Sequence, residues 1–286
     1  MKILITGAKG NLGSCVARRL NTGSNELVLM DAEPIEAVDN CTPVQADIRD
    51  AAAVSFAMTG CHAVVHAAGY DQRAMDHHNI DDFYHVNVTG THNVLRCMLQ
   101  HNTANLIYCS SEAVYGAGLR DCTVLTELCA CVPSQVAGLT KHLAEEMCRY
   151  YSRRRAVRVA MLRFGPFSHG DWKNAGLARL ANGLDREDAA QAVVLALGAV
   201  QDEAFGCQAF GIHALTPFTD EDWPELEVNP AAVLDRYYPG CTDILASHGL
   251  RVPHLHTRYD ITRAVTLLGY DPEYNFEQFL RRLRSH

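Results

Sequence analysis

The sequence lacks any apolar run approaching the ~18 residues of a membrane span, and its first apolar stretch, Ile3 to Ile5, reads as a strand rather than a signal-peptide core. A cytoplasmic protein with no membrane anchor is the expectation. Positive charge is not in excess: 25 Lys and Arg against 33 Asp and Glu leave a formal net charge of −8, which excludes the basic footprint of a nucleic-acid binder. Paired C-x-x-C spacing is absent. The eleven cysteines are an odd, scattered set, which argues against a secreted disulfide scaffold and for small buried apolar residues. A zinc set assembled from Cys122, Cys129 and Cys131 with His142, or from His254 and His256, has no paired-ligand spacing, so no metal is expected. There is no internal repeat, low-complexity tract or long linker. With 48% apolar residues the chain has enough material for a full core.

What is present is an alternation of short aliphatic runs with helical patterns, the signature of βαβ units and a parallel sheet. Strands are expected over 2–6, 26–30, 63–66, 105–108 and 157–162, and helices over 12–20, 51–58, 83–100 and 136–151. The fold class is α/β, a Rossmann-like doubly wound parallel sheet over 1–165. A smaller C-terminal substrate lobe follows over 166–286, where prolines accumulate and the alternation breaks. One helix of that region, 186–197, is expected to return to the main sheet.

Gly7-Ala8-Lys9-Gly10-Asn11-Leu12-Gly13 follows the first strand at once and opens the first helix. The glycines allow the tight turn, the approach of backbone to a pyrophosphate and close helix–sheet packing, while the helix N-terminal amides face the phosphates. The second strand ends in Asp31, about 20 residues on, where an acid hydrogen-bonds the ribose 2′-hydroxyl. A carboxylate there repels a 2′-phosphate, and no arginine follows it directly, so the expected cofactor is NAD rather than NADP.

With these residues in hand, the chain resembles the extended short-chain dehydrogenase/reductase superfamily, and within it the NAD-dependent epimerase/dehydratase family. The resemblance continues through Ala46-Asp47-Ile48-Arg49-Asp50, similar to the adenine-contacting segment, and Val64-Val65-His66-Ala67-Ala68-Gly69, similar to the strand that lies along the cofactor. It takes in the central-helix segment Asn87–Leu95, the active-site strand Tyr108–Gly116, Leu162-Arg163-Phe164-Gly165-Pro166 beside the nicotinamide, and the terminal Tyr259–Ala264 and Leu268–Pro272. Nearly the whole chain is covered. The resemblance implies cofactor contacts from Gly7, Lys9, Gly10, Asn11, Leu12, Gly13, Asp31, Asp47, Ile48, His66, Ala67, Ala68, Asn87, Lys141 and Arg163.

In that family a serine or threonine, a tyrosine and a lysine in a Tyr-x-x-x-Lys pattern carry the chemistry, the tyrosine as acid/base and the lysine lowering its pKa and holding the nicotinamide ribose. Ser111 matches the serine and Lys141 the lysine. The tyrosine position holds Ala137. An alanine methyl exchanges no proton, which leaves three explanations open: an introduced substitution in a working enzyme, a natural change with another group moving the proton or none required, or a cofactor-binding protein without catalysis. Tyr115 and Glu112, just after the active-site strand, are the sequence-local substitutes; a subgroup of the family that eliminates water uses an acid at the place of Glu112. Arg163 is either a support for the active-site floor or half of a structural ion pair.

The stretch 167–185 is short and carries only Lys173 and Arg179 as cations, poorly equipped to neutralise a nucleotide diphosphate. It resembles the uronate-dehydrogenase branch, which implies a small polar substrate such as a sugar acid. Asp71, Gln72 and Arg73 are expected to border the substrate space. The resemblance further implies a homodimer joined through the helices that hold Asn87 and Lys141.

Overall fold

The computed structural model describes residues 1–36, 38–121, 124–155, 157–167, 171–255 and 257–285. Strands are β1 (Lys2–Thr6), β2 (Glu26–Asp31), β3 (Cys41–Gln45), β4 (Ala63–His66), β5 (Asn105–Ser111), β6 (Val124–Leu125), β7 (Arg158–Phe164), β8 (Cys207–Ile212) and β9 (Arg258–Tyr259). Helices are α1 (Asn11–Leu20), α2 (Ala51–Met58), α3 (Ile80–Phe83), α4 (Thr91–Gln100), α5 (Val136–Arg155), α6 (Trp172–Ala178), α7 (Arg186–Ala199), α8 (Trp223–Val228), α9 (Pro230–Tyr237), α10 (Cys241–Ser247), α11 (Thr262–Leu268) and α12 (Phe276–Arg284).

Seven strands form one sheet in the order β3-β2-β1-β4-β5-β7-β8, parallel at every pairing. Both faces are covered, which is why the central strands read as unbroken apolar runs. Side chains alternate between the two faces: Ile3, Ile5, Leu27, Leu29, Val65, Ile107 and Leu162 pack with α1 and α7, and Leu4, Val28, Met30, Val64, Leu106 and Met161 pack with α2, α4 and α5. Two strands of this sheet escape the sequence pattern, as do β6 and β9, which pair with each other apart from it. The edge strand β3 is mostly exposed and contains Pro43, so it has no apolar alternation to find, and β8 joins the far edge from deep in the C-terminal part of the chain.

The helix expected over 83–100 is interrupted. Residues Tyr84–Gly90 form a π-helical segment between α3 and α4, and Asn87 lies inside it, buried. Such segments concentrate at functional sites because the extra residue per turn re-aims a side chain. Beyond Gly165, β8 extends the sheet and α7 covers one of its faces, while α6, α8, α9, α10 and α12 gather around a separate apolar cluster that includes Trp223, Leu226, Leu234, Phe276, Phe279 and Leu280. No described helix is long and apolar enough to cross a membrane.

Candidate active site

A cleft of about 520 Å³ opens at the carboxyl ends of the strands, a size within the ~300–1,000 Å³ of small-molecule sites. It runs from Gly7, Gly10, Asn11, Leu12 and Gly13 past Ala67 and Gly69 to Ser111, Glu112, Ala137 and Lys141, and ends against Phe164–Phe167. The glycine loop is shaped for something to lie on its backbone. Gly7 has φ +67°, and a Cβ there would sit 2.6 Å from the Ala68 amide nitrogen; one on Gly13 would sit 2.1 Å from the Gly7 carbonyl oxygen. Only glycine permits that approach, and it leaves the amides at the start of α1 open to an anion.

Asp31 closes the loop from the end of β2. Its Oδ2 accepts the Lys9 amide at 2.9 Å and its Oδ1 the Glu33 amide at 3.1 Å, while the Lys9 ammonium turns away to Glu33 at 2.8 Å. A carboxylate is thus fixed beside the loop with no cation paired to it among the described residues. Asp47 and Ile48 lie off the cleft lining: Asp47 holds Arg49, which keeps its carboxyl below the ordinary range, and the Ile48 carbonyl accepts from Asn93. His66 is fully buried between Thr6 and Thr91 at 2.7 and 2.9 Å. Burial, with help from the Lys141 charge, pushes its pKa down to about 3 and keeps it neutral. His66 ties β1, β4 and α4 together instead of lining the cleft, whereas Ala67 lines it and Ala68 packs against Gly7.

Asn87 acts through backbone. Its Oδ1 accepts the Tyr70 amide at 2.7 Å, and its Nδ2 donates to the Tyr70 carbonyl and to Thr140, fixing the loop after β4. Gly69, at φ +152°, passes so close that a Cβ would lie 2.9 Å from Asn87 Oδ1 and 3.0 Å from Lys141 Nζ. Lys141 is buried on α5 and donates to the Cys109 carbonyl at 2.8 Å; burial lowers its pKa. An ammonium has three donors, so this contact leaves others for a ligand. Ser111 lines the cleft, its Oγ accepting the Ala113 amide. Ala137, one turn before Lys141, presents its methyl to the same space and is 3% exposed.

The structure separates the two substitutes and answers the question left at Arg163. Tyr115 is buried off the lining, its hydroxyl accepting from Arg163 at 2.9 Å under a guanidinium 4.8 Å from the ring centre. Arg163, expected as a cofactor contact, is also off the lining: it is 1% exposed and clamps Glu145 through two bonds of 3.0 and 2.7 Å. Glu145 further accepts from Ser110 and Arg149. Glu112 does line the cleft. Its Oε1 accepts from Asn182 Nδ2 at 2.7 Å, its Oε2 has no hydrogen-bond partner among the described residues, and burial pushes its pKa up to about 8.

Residues with no motif complete this corner. His213, just after β8, is 1% exposed and places Nδ1 3.8 Å from Glu112 Oε2; its ring lies 4.6 Å from that of Tyr259. Asn182 and His213 carry no local signal, because sheet topology and not spacing brings them here. Gly165 shows why the loop after β7 needs glycine: a Cβ would lie 2.3 Å from the Asn182 carbonyl and 2.7 Å from His213 Nδ1.

Asp71, Gln72 and Arg73 border the cleft, Arg73 bound to Asp71, and neither Lys173 nor Arg179 lines it. Arg179 instead pairs with Asp185 at 2.8 Å. Among the zinc candidates, Cys122 and His256 lie outside the described residues. Cys131, His142 and Glu145 do bring ligand atoms within 4.8 Å of one another, but Glu145 is already held by two arginines.

Comparison with known proteins agrees with this fold. The model of the NAD dependent epimerase/dehydratase family matches residues 3–180. Short-chain dehydrogenase/reductase family 42E member 1 of Danio rerio is 37% identical over 116 residues, 40% of this chain and 30% of that protein. Uronate dehydrogenase of Pseudomonas putida is 25% identical over 166 residues, 57% of this chain and 60% of that one. The matched segments thus span less than two thirds of these relatives. A tyrosine-to-alanine mutant of the Agrobacterium tumefaciens uronate dehydrogenase, solved in complex with NAD, shares the fold with a TM-score of 0.71 at 20% identity, covering 99% of this chain and 89% of that one.

Proposed function

The chain belongs to the NAD dependent epimerase/dehydratase family, and from that premise we propose that it is an NAD-dependent oxidoreductase or epimerase acting at a carbinol or carbonyl carbon of a sugar, sugar acid or similar small polar substrate. One observation carries this reading: a single cleft joins the glycine loop to Ser111 and Lys141 with no wall between them. NAD, the family's cofactor, supplies the hydride acceptor or donor when bound. The glycine cradle fits its pyrophosphate, and Asp31, with both oxygens already oriented by backbone amides, fits a ribose 2′-hydroxyl and opposes a 2′-phosphate.

Around that group the chain's own residues bind and orient. Lys141, anchored on the Cys109 carbonyl, directs its remaining donors to the nicotinamide ribose, and Ser111 donates to the substrate oxygen. The only described cations on the lining are Lys141 and Arg73, the latter neutralised by Asp71, so a nucleotide diphosphate finds little to bind it and a small polar substrate is favoured. A homodimer formed through α4 and α5 belongs to the same reading. A second reading, a non-catalytic NAD-binding protein, is favoured by the methyl of Ala137 where a proton-transferring hydroxyl would serve.

Single-turnover absorbance of the reduced nicotinamide across uronates, free sugars and nucleotide sugars separates the two. We expect a signal with at least one uronate or free sugar. Tight NAD binding with no spectral change on any substrate would favour the non-catalytic reading.

A further inference from the structure

Glu112 faces the cleft with an arrangement that the surrounding motifs do not require. A half-buried carboxyl ordinarily has an arginine, a lysine or backbone amides to hold its charge. This one has a single neutral donor, the Asn182 amide, on one oxygen. The other oxygen is buried without a hydrogen-bond partner among the described residues and faces the buried His213 Nδ1 across 3.8 Å, with the Asn182 backbone also beside that ring. That gap exceeds a hydrogen bond by about 1 Å, a distance a small rotation of either side chain closes. A buried carboxyl oxygen left unpaired beside a ligand cleft is costly to maintain unless it carries a proton that a neighbouring acceptor can take as a hydrogen bond.

We propose that Glu112 is the acid–base group of this cleft and that His213 is its positioning partner, holding the carboxyl proton where the side chain at 137 has none to offer. This rests on the redox reading of the site. In the reducing direction the O–H bond of the Glu112 carboxyl breaks, its proton forms the alcohol O–H of the substrate, and the electron pair reaches the carbon as hydride from the reduced nicotinamide. In the oxidising direction the carboxylate takes the alcohol proton back. The groups facing Glu112 are His213 from the end of β8, Asn182 from the loop after α6 and Tyr259 from β9; none is a cation, since burial holds the His213 pKa down to about 3. Burial with no cation beside it therefore pushes the carboxyl pKa up to about 8, a range where a group is useful as both donor and acceptor.

The test reads the carboxyl directly. Infrared difference spectra of the NAD-loaded protein across pH should show a protonated carboxyl that ionises near 8 and is missing in Glu112→Gln. His213→Gln should move that midpoint while thermal unfolding stays cooperative; His213→Asn serves if the first variant does not fold. On whichever substrate gives a signal, Glu112→Gln should slow the single-turnover rate by ~10²-fold or more with NAD affinity unchanged, and His213→Gln should shift the pH–rate profile. A Glu112 carboxyl ionising near the ordinary 4.5, or a Glu112→Gln rate close to the parent's, overturns the proposal. If the parent protein shows no turnover on any substrate, the redox reading falls instead, and a carboxyl midpoint near 8 that shifts in His213→Gln still supports the Glu112–His213 pair.

Discussion

The two ends of the cleft are built in different ways. At the nucleotide end every determinant is local: the glycine loop, the α1 N-terminus and Asp31 lie within one βαβ unit, and their roles are roles of backbone geometry. At the reaction end the determinants come from four places in the chain, with Glu112 meeting Asn182 at a separation of 70 residues and His213 farther still. Local backbone requirements leave a spacing that can be read; long-range side-chain pairings leave none. The same contrast separates residues that touch a ligand from residues that merely sit in a motif near one.

Arg163 is the strongest way to break that contrast, because it belongs to a reaction-end motif yet is engaged entirely with protein. Arg163→Met removes the main partner of a carboxylate that is 0% exposed, leaving Glu145 to Arg149 and Ser110. Stripping one member from a buried pair costs about 3–5 kcal/mol. Urea unfolding should show that loss, with NAD affinity in calorimetry unaltered in the fraction that folds. A fall in affinity matching the fall in stability would return Arg163 to the cofactor site.

Reading the sequence reached the sheet and the glycine loop, since each follows from periodicity or a fixed spacing, while Ser111, Lys141 and Ala137 were singled out through the family resemblance and all three line the cleft. It did not reach β3, whose exposed edge has no apolar face, or β8, whose pairing depends on a crossover through α7. It offered both Tyr115 and Glu112 because both lie just after the active-site strand, and the structure separates them. One turn carries Tyr115 under Arg163, while Glu112 stays on the cleft lining with one buried oxygen unpartnered among the described residues. His66 and Asn87 were legible as motif members, but their action through Thr6, Thr91 and the Tyr70 backbone is tertiary.

Asp31 sharpens the comparison from the nucleotide end. Asp31→Ala removes a carboxylate held by two amides beside the loop, and with it both a charged hydrogen bond to a ribose hydroxyl and the repulsion of a 2′-phosphate. The preference for NAD over NADP, measured by calorimetric titration of both, should narrow by about tenfold, the equivalent of ~1.4 kcal/mol. Because the determinant is local, the infrared titration of Glu112 should be untouched. Equal affinities in the parent protein would remove Asp31 as the selector.

The smallest expected effect belongs to the most conspicuous residue. Ala137 stands one helical turn before Lys141 with its methyl on the cleft, so Ala137→Tyr sends a phenol toward the space shared by Ser111 and Lys141. If the proton is already handled by Glu112 with His213 behind it, a second hydroxyl adds little, and the ring takes up room that the substrate uses. Turnover should then rise by less than ~10-fold or fall, with the pH–rate profile still set by the Glu112 carboxyl, whereas a missing general acid/base restored to its place is worth ~10²–10⁴-fold. A gain of that larger size, accompanied by a new pH dependence that survives Glu112→Gln, would identify position 137 as a silenced tyrosine and the reaction end as locally encoded after all.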